Sequence, residues 1–432
     1  APSDDAPSDD APSDDAPSDD APSDDAPSDD APSTTKVKKT VTNSNNTPSA
    51  TELEEIVSII LEFVKNKKRK IYGGYAQNET IKHSNKNDAF YKDDEIPDID
   101  VYSPSPIDDV VEVCDMLHAK GYVDVIGKEA LHSETYKIYT KGYNAIDLSY
   151  VPKQIYDSIP YVEINNIRYT HPSFSMIDLY KMMSEPLFSC WRWKKIFPRL
   201  FLLQKHYPIK KFNSDLKTVY KHKKNISGAI TTIEKFILNN ESIYLFGDFA
   251  YNYFAKKSDM PKVSIGIYHI VSDNYIKDAK TLINALKSVN NEIKYMEYYP
   301  FWSLNDYSVE ILYMGEVVVK IYGNLKRCCP IIKTNFNGGF AQIGSFDYTF
   351  LSEMILAFRQ KVLRNTNFSA YHGTMISNLI SMRNLSLKKN NKNLFDEGPF
   401  QSFIISCSGV TVDPMTFAKN KMKEKKKNNK SS

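Results

Sequence analysis

Residues 71–101 begin with the sequence IYGGYA (71–76) and end with PDIDV (97–101). The first segment predicts a short strand that breaks at two glycines into a helix, and the second predicts another strand. Because residues i and i+2 of a strand face the same side, we expect Asp98 and Asp100 to point together. Two such carboxylates repel each other unless a cation lies between them, and Mg²⁺ is the cation that this kind of site holds together with substrate phosphates.

The two glycines predict a place where a phosphate can approach the backbone. Gly73 and Gly74 carry no side chain, and they open a predicted helix whose N-terminus favours anions. A Gly-Gly pair alone is more often a simple turn, and Asp-x-Asp is more often a solvated strand end. The combination of strand, Gly-Gly, helix and Asp-x-Asp strand is more specific.

A third acid strengthens this interpretation. The segment AIDLSYV (145–151) places a single carboxylate, Asp147, among apolar residues of a predicted strand. An isolated acid in a mostly buried strand is costly unless it is paired or bound to a metal. Asp98, Asp100 and Asp147 therefore predict a site for metal-dependent phosphate chemistry.

These motifs resemble the nucleotidyltransferase palm of the polymerase-β-like superfamily. More narrowly, IYGGYA, DIDVYSP (98–104) and DLSYVP (147–152) resemble the catalytic subunit of poly(A) polymerases from large cytoplasmic DNA viruses, over roughly residues 50–385. The resemblance implies an enzyme that adds AMP from ATP to the 3′ ends of single-stranded RNA.

The resemblance also implies roles for these residues. Asp98 and Asp100 would bridge two Mg²⁺ or Mn²⁺ ions. Asp147 would hold the ion that activates the primer 3′-OH, and Gly73 and Gly74 would cradle the terminal phosphates of ATP.

The segment WRWKK (191–195) alternates aromatic and basic side chains. It could stack a nucleobase and hold triphosphate oxygens, or it could be a packed helix with Trp191 and Trp193 inside. Both alternatives stay open for the tryptophans. Because the viral family carries bases at the matching positions, the resemblance implies triphosphate contacts by Arg192 and Lys195.

The chain also predicts a second copy of this unit. In IYLFGDFA (243–250) the glycine follows Gly73 by 174 residues, and Lys320 in VVKIY (318–322) follows Asp147 by 173 residues. Near-constant offsets indicate a duplication.

We align MPKVSI (260–265) with IPDIDV (96–101), so that Lys262, Ser264 and Lys320 replace the three acids. Two lysines would repel a metal ion and attract phosphate. This predicts a degenerate copy in which Lys262 and Lys320 contact RNA. The alternative is inert packing.

The predicted fold class is α+β, with two tandem nucleotidyltransferase-like palm domains of mixed sheets and flanking helices. We predict a disordered low-complexity tail (1–48), a catalytic domain (49–210), a degenerate domain (211–385) and a C-terminal extension with a basic disordered tail (386–432). Residues 1–30 are six identical copies of APSDD, typical of an appended segment, and are set aside.

The charge of the remaining chain predicts an anionic partner. The APSDD repeats hold 12 of the 53 acids, so 55 basic residues face 41 acidic ones, a net charge of +14. Nucleic acid is the usual partner of such a chain, although a lysine-rich composition explains part of the excess.

Several further expectations follow from composition and from the family. No apolar run is long enough to cross a membrane and no signal peptide is recognised, which predicts a soluble intracellular protein. The five cysteines predict free thiols in a reducing compartment. The viral family implies the cytoplasm of an infected cell, or the virion, and leaves open a homodimer or a processivity subunit.

The sequence leaves two other functions open. The same chemistry could act on another acceptor, such as a tRNA end, a protein or a small molecule. Alternatively, the chain could be a catalytically inactive RNA-binding scaffold or processivity partner, a hypothesis that the intact set of three acids disfavours.

Overall fold

The computed structural model describes residues 47–92, 95, 97–130, 134–210, 216, 222–324, 328–409 and 420. Asn46–Ser432 form one compact unit. The predicted N-terminal tail lies outside the described residues, apart from its last two positions. The basic tail lies outside them apart from Asn420.

Residues 50–206, called the first half below, build a seven-stranded mixed sheet with packed helices. Its elements in chain order are α1 (Ala50–Asn66), β1 (Lys70–Tyr72), α2 (Gly73–Ser84), β2 (Asp100–Ser103), α3 (Pro106–Ala119), β3 (Val125–Glu129), β4 (Thr135–Thr140), β5 (Tyr143–Tyr150), α4 (Lys153–Ser158), β6 (Tyr161–Ile164), β7 (Ile167–Thr170), α5 (Pro172–Met183), α6 (Pro186–Ser189) and α7 (Trp193–His206). The strand order across the sheet is β3-β4-β5-β2-β1-β7-β6.

Residues 227–389, called the second half below, build another seven-stranded sheet. Its elements, with the segment that follows, are α8 (Ser227–Leu238), β8 (Ile243–Phe246), α9 (Asp248–Lys257), β9 (Tyr268–Ser272), α10 (Tyr275–Lys287), β10 (Ile293–Tyr298), β11 (Ser308–Tyr313), β12 (Glu316–Gly323), β13 (Cys328–Cys329), β14 (Ile331–Phe336), β15 (Gly339–Gly344), α11 (Phe346–Val362), α12 (Thr366–Lys389) and β16 (Ser408–Gly409). The strand order is β10-β11-β12-β9-β8-β15-β14.

The two sheets have the same topology, which confirms the predicted tandem arrangement. Strands β1–β2 and β8–β9 are antiparallel pairs. Strands β2–β5 and β9–β12 are parallel pairs, as are β1–β7 and β8–β15. Each half therefore repeats one pattern of strand order and direction.

The apolar core explains why the two halves form one unit. One cluster lies between the first sheet and helices α1 and α3, and includes Ile60, Val113 and Ile146. A larger cluster contains residues from both halves, and in it the Tyr180 and Phe350 rings lie 4.6 Å apart. Burial of such apolar surface is the main favourable contribution to folding, so the large cluster holds the halves together.

The expectation of free thiols is wrong for one pair of cysteines. Cys328 and Cys407, 79 residues apart in sequence, form a disulfide next to the antiparallel pair β13–β16. This strand pairing brings the two backbones together, and sequence spacing could not show it. Cys114, Cys190 and Cys329 are not disulfide-bonded. Within the part of the chain that the structure describes, no helix combines the length and apolarity that crossing a membrane requires.

Candidate active site

Strands β2 and β5 place two of the predicted acids side by side. They run parallel, with Asp100 directly paired with Asp147. Neighbouring strands lie about 4.8 Å apart, and paired residues present their side chains to the same face of a sheet. Asp98 lies two residues before the start of β2, and its side chain is exposed. The sheet register therefore brings Asp100 and Asp147 together, with Asp98 at the solvent edge.

The surroundings disfavour negative charge on these side chains. Burial, followed by the charges of Asp147 and Asp98, raises the pKa of Asp100 to about 8. Burial also raises the pKa of Asp147, although Asn144 and Lys137 oppose this effect. Two neighbouring carboxylates in such surroundings are stabilised by a bound cation or by protonation.

A lysine on the adjacent strand partly neutralises this site. Lys137 of β4 is paired with Asp147 of β5, and its Nζ lies 3.5 Å from Asp147 Oδ2. Asn144 donates a hydrogen bond of 2.8 Å to the other Asp147 oxygen. Among the described residues, no three His, Cys, Asp or Glu side chains converge closely enough to hold a metal ion.

The donor set nevertheless fits a hard divalent cation, because its members are carboxylates, and burial together with the charges of Asp147 and Asp98 raises the pKa of Asp100. The charge of the exposed Asp98 acts on Asp100, which links the third acid electrostatically to the other two.

The first glycine of the Gly-Gly pair lies directly against Asp100. Gly73 has φ +72°, a conformation that favours glycine, and a Cβ there would lie 2.2 Å from Asp100 Oδ2. Gly73 therefore allows the sharp turn from β1 into α2 and leaves room for the carboxylate.

The second glycine lies beneath two side chains from distant parts of the chain. A Cβ on Gly74 would lie 2.5 Å from the Tyr91 hydroxyl and 3.1 Å from Arg199 Nη1. Arg199 was not among the predicted phosphate contacts. A signal for it existed, since Arg192, Lys195 and Arg199 follow one another at i, i+3 and i+7 and so share one helix face.

The structure separates the roles of the aromatic and basic residues near α7. Trp193 packs against Phe403 and donates its indole N–H to the Met182 carbonyl, so the packing alternative holds for this residue. Trp191 is 64% exposed, and the Arg192 guanidinium stacks on its ring.

Arg192 and Lys195 differ in their relation to the carboxylates of the site. The charge of Arg192 lowers the pKa of Asp100 against the stronger effect of burial, which places Arg192 near the carboxylates. Lys195 is exposed on the first turn of α7.

The alignment of the second copy was wrong at one motif. In the second sheet, Lys320 of β12 is paired with His269 of β9, as Asp147 is paired with Asp100 in the first. His269, and not Ser264, therefore corresponds to Asp100, and Ile267 rather than Lys262 corresponds to Asp98. The segment between the glycine and this strand is five residues shorter in the second half, which shifts the offset from 174 to 169.

A matching glycine contact supports this correction. Gly247 has φ +67°, and a Cβ there would lie 2.9 Å from the His269 ring, just as Gly73 faces Asp100. Ser272 donates a hydrogen bond to Asp278 in the second half, as Ser103 does to Asp109 in the first. Both serine–aspartate pairs follow the same 169-residue offset.

The second half carries an ion pair of opposite polarity at the former site. Lys320 of β12 is paired with Glu310 of β11, and the two charged groups lie 3.7 Å apart. These are the positions of Asp147 and Lys137 in the first half. Lys320 is 3% exposed and lies over the Tyr298 ring, and burial lowers its pKa to about 8. This burial leaves no surface of Lys320 for an RNA phosphate.

Comparisons with known proteins agree with this fold. The family model "Poly(A) polymerase catalytic subunit" matches residues 58–189. The model "APMV, Putative poly(A) polymerase, catalytic subunit, C-terminal" matches residues 202–432.

Individual viral proteins are also similar to this chain. The "Putative poly(A) polymerase catalytic subunit" of Acanthamoeba polyphaga mimivirus is 31% identical over 419 residues, covering 89% of this chain and 72% of that protein. A protein of the same description from African swine fever virus is 33% identical over 169 residues, covering 37% of this chain and 35% of that one.

A solved structure extends the match to the fold. The crystal structure of the Megavirus polyadenylate synthase superposes with a TM-score of 0.82 and 34% identity, covering 88% of this chain and 79% of that one. These matches confirm the predicted fold class and the family resemblance. The chain therefore belongs to the poly(A) polymerase catalytic subunit family and is a polynucleotide adenylyltransferase.

Proposed function

We propose that Asp98, Asp100 and Asp147 are the metal ligands of this adenylyltransferase, and that it uses two divalent cations, Mg²⁺ or Mn²⁺. The observation that carries the proposal is the pairing of Asp100 with Asp147 on adjacent parallel strands, with Gly73 against Asp100. Bound cations would lower the charge of the triphosphate and favour the deprotonated primer 3′-OH.

The chain's own residues would bind and orient the two substrates. Gly73 and Gly74 let the triphosphate of ATP approach the N-terminus of α2, where backbone N–H groups and the helix dipole favour an anion. Arg192, whose charge acts on Asp100, and Lys195, in the first turn of α7, would add charge-assisted hydrogen bonds to phosphate oxygens. Asp147 would orient the 3′-OH of an RNA primer towards the α-phosphate, so that catalysis depends on positioning and charge neutralisation.

The test is to incubate the purified protein with a labelled single-stranded RNA and each of the four nucleotides, with Mg²⁺ or Mn²⁺. Untemplated addition of AMP to the RNA 3′ end is the expected result. Efficient transfer to a tRNA end, a protein or a small molecule, but not to the RNA, would favour another acceptor. Absence of transfer to any acceptor would favour an inactive scaffold.

RNA binding is expected to depend steeply on salt. The charge of +14 outside the APSDD repeats must displace counterions from RNA. The logarithm of affinity for a single strand should then fall by about 0.7 per phosphate contact for each tenfold increase in salt. Filter binding or fluorescence anisotropy between about 50 and 200 mM salt measures this slope. A flat response would show that the basic excess is only compositional.

We propose that the second half contacts RNA through Lys262 rather than through the buried Lys320. Lys262 is exposed, on the segment that precedes β9. Lys262→Glu should leave the first AMP addition unchanged and shorten the products, because the primer dissociates sooner. Product-length analysis at limiting enzyme measures this. Unchanged product lengths would favour the inert-packing alternative for the second half.

The predictions about domain bounds, location in the cell and oligomeric state stay proposals. The sheets lie within residues 50–206 and 227–389, which supports a catalytic domain (49–210) and a degenerate domain (211–385). The matched relatives are viral proteins, so we extend the proposal to action in the cytoplasm of an infected cell, on its own, as a homodimer or with a processivity subunit. Light scattering of the purified protein measures the oligomeric state.

A further inference from the structure

We propose that Arg199 binds the terminal phosphates of ATP, and that these phosphates replace its hydrogen bond to the Tyr91 hydroxyl. This inference rests on the triphosphate position proposed above, and adds a specificity-determining residue to it. Arg199 would distinguish ATP from AMP, because only ATP carries phosphates that reach beyond the reacting one.

Arg199 lies next to the second glycine of the Gly-Gly pair. Its Nη1 lies 3.1 Å from the point where a Cβ of Gly74 would be. Gly74 is the second residue of α2, at the end of the helix where free N–H groups point outwards. A phosphate bound to this turn would therefore lie beside the Arg199 guanidinium.

The charge of Arg199 also indicates an anionic ligand. Among the described residues, no carboxylate forms an ion pair with Arg199; its Nη2 donates a hydrogen bond of 3.0 Å to the Tyr91 hydroxyl. Its guanidinium also lies over the Phe90 ring, 4.4 Å from the ring centre. The Phe90 and Tyr91 side chains carry no negative charge to neutralise this partly buried guanidinium, which gains most from an anion with several oxygens.

The segment that carries Tyr91 does not depend on Arg199 for its position. The Asn78 side-chain oxygen accepts hydrogen bonds from the backbone N–H groups of Phe90 and Tyr91, at 2.9 and 3.0 Å. Asp88 of the same segment pairs with Lys205 and His206. The Tyr91–Arg199 hydrogen bond can therefore open without releasing the segment, which leaves Arg199 available for a phosphate.

The test measures ATP and AMP affinity by isothermal titration in the full chain, with Mg²⁺ and without RNA. Arg199→Ala should weaken ATP binding roughly 10- to 100-fold, the range for a charge-assisted hydrogen bond, and leave AMP binding unchanged. Arg199→Gln, which keeps a polar but shorter and uncharged side chain, should lose ATP affinity in the same way. Tyr91→Phe should keep or increase ATP affinity, because it removes the competing hydroxyl.

The alternative, in which Arg199 only fastens the segment of Tyr91, predicts different results. Tyr91→Phe would then weaken ATP binding as much as Arg199→Ala. That result, or an equal loss of ATP and AMP affinity in Arg199→Ala, would overturn the proposal. If Asp100→Asn abolishes RNA extension while the Arg199 variants keep ATP affinity, only this inference fails. If Asp100→Asn extends RNA normally, the proposed metal site fails instead.

Discussion

Asp100→Asn should lower the rate of AMP addition to RNA by roughly 10³-fold or more, since removing a single electrostatic contact at a transition state already costs about 10²- to 10³-fold. Asn keeps the volume of Asp but loses the charge that would hold a cation beside Asp147, its partner in the sheet register. Single-turnover extension of a labelled primer measures the rate.

The same substitution should not destabilise the protein. It replaces a carboxyl group whose ionised form is disfavoured by burial and by two other carboxylates, as the raised pKa of Asp100 indicates. The midpoint of thermal unfolding without divalent cations should stay the same or rise, and added Mg²⁺ should stabilise the wild type more than the variant.

The matched control is His269→Asn, at the corresponding position of the second sheet. It should keep single-nucleotide addition. A folded Asp100→Asn protein with the wild-type rate would contradict the proposed site. Loss of addition in His269→Asn alone would mean that the chemistry lies in the second half.

Gly73→Ala should lower activity by at least about 10²-fold, because a small misplacement of a catalytic group can cost that much. The new Cβ would lie 2.2 Å from Asp100 Oδ2, so the carboxylate must move. A left-handed backbone conformation also costs a non-glycine residue about 1–2 kcal/mol. The extension rate and the thermal midpoint, measured together, separate these two effects.

Gly247→Ala is the matched control for Gly73→Ala. Gly247 has a similar φ, +67° against +72° for Gly73, and its new Cβ would lie 2.9 Å from the His269 ring. The variant should therefore lose comparable stability and keep the rate of addition. Equal losses of activity in both variants would show that backbone strain, and not the displaced carboxylate, decides the result.

Local sequence patterns determine most of the first half. Alternation and glycine predict the strand β1, the turn at Gly73, and the strands that follow Asp98 and contain Asp147, because backbone conformation at such segments depends on near neighbours. Strands β6 and β7 are not predicted, because the alternation of apolar and polar residues in these short segments is weak.

The duplication is also visible in the sequence, but the residue-by-residue alignment of the two copies is not. Offsets of 174 and 173 residues identify Gly247 and Lys320 correctly as the partners of Gly73 and Asp147. The strand between them was misaligned by five residues, because a loop can shorten without changing the sheet. Only the hydrogen-bonding register of β9 with β8 and β12 shows that His269 takes the place of Asp100.

The tertiary structure alone decided the contacts between distant segments. Arg199 reaches Gly74 across 125 positions of the chain, and Cys328 meets Cys407 through strand pairing. The sequence by itself determined the three acids, the Gly-Gly turn and the tandem architecture, because each rests on local patterns or on their repetition. The partner of each charge, such as Lys137 on Asp147 or Glu310 on Lys320, depends on which strands lie side by side, and that is a property of the folded chain.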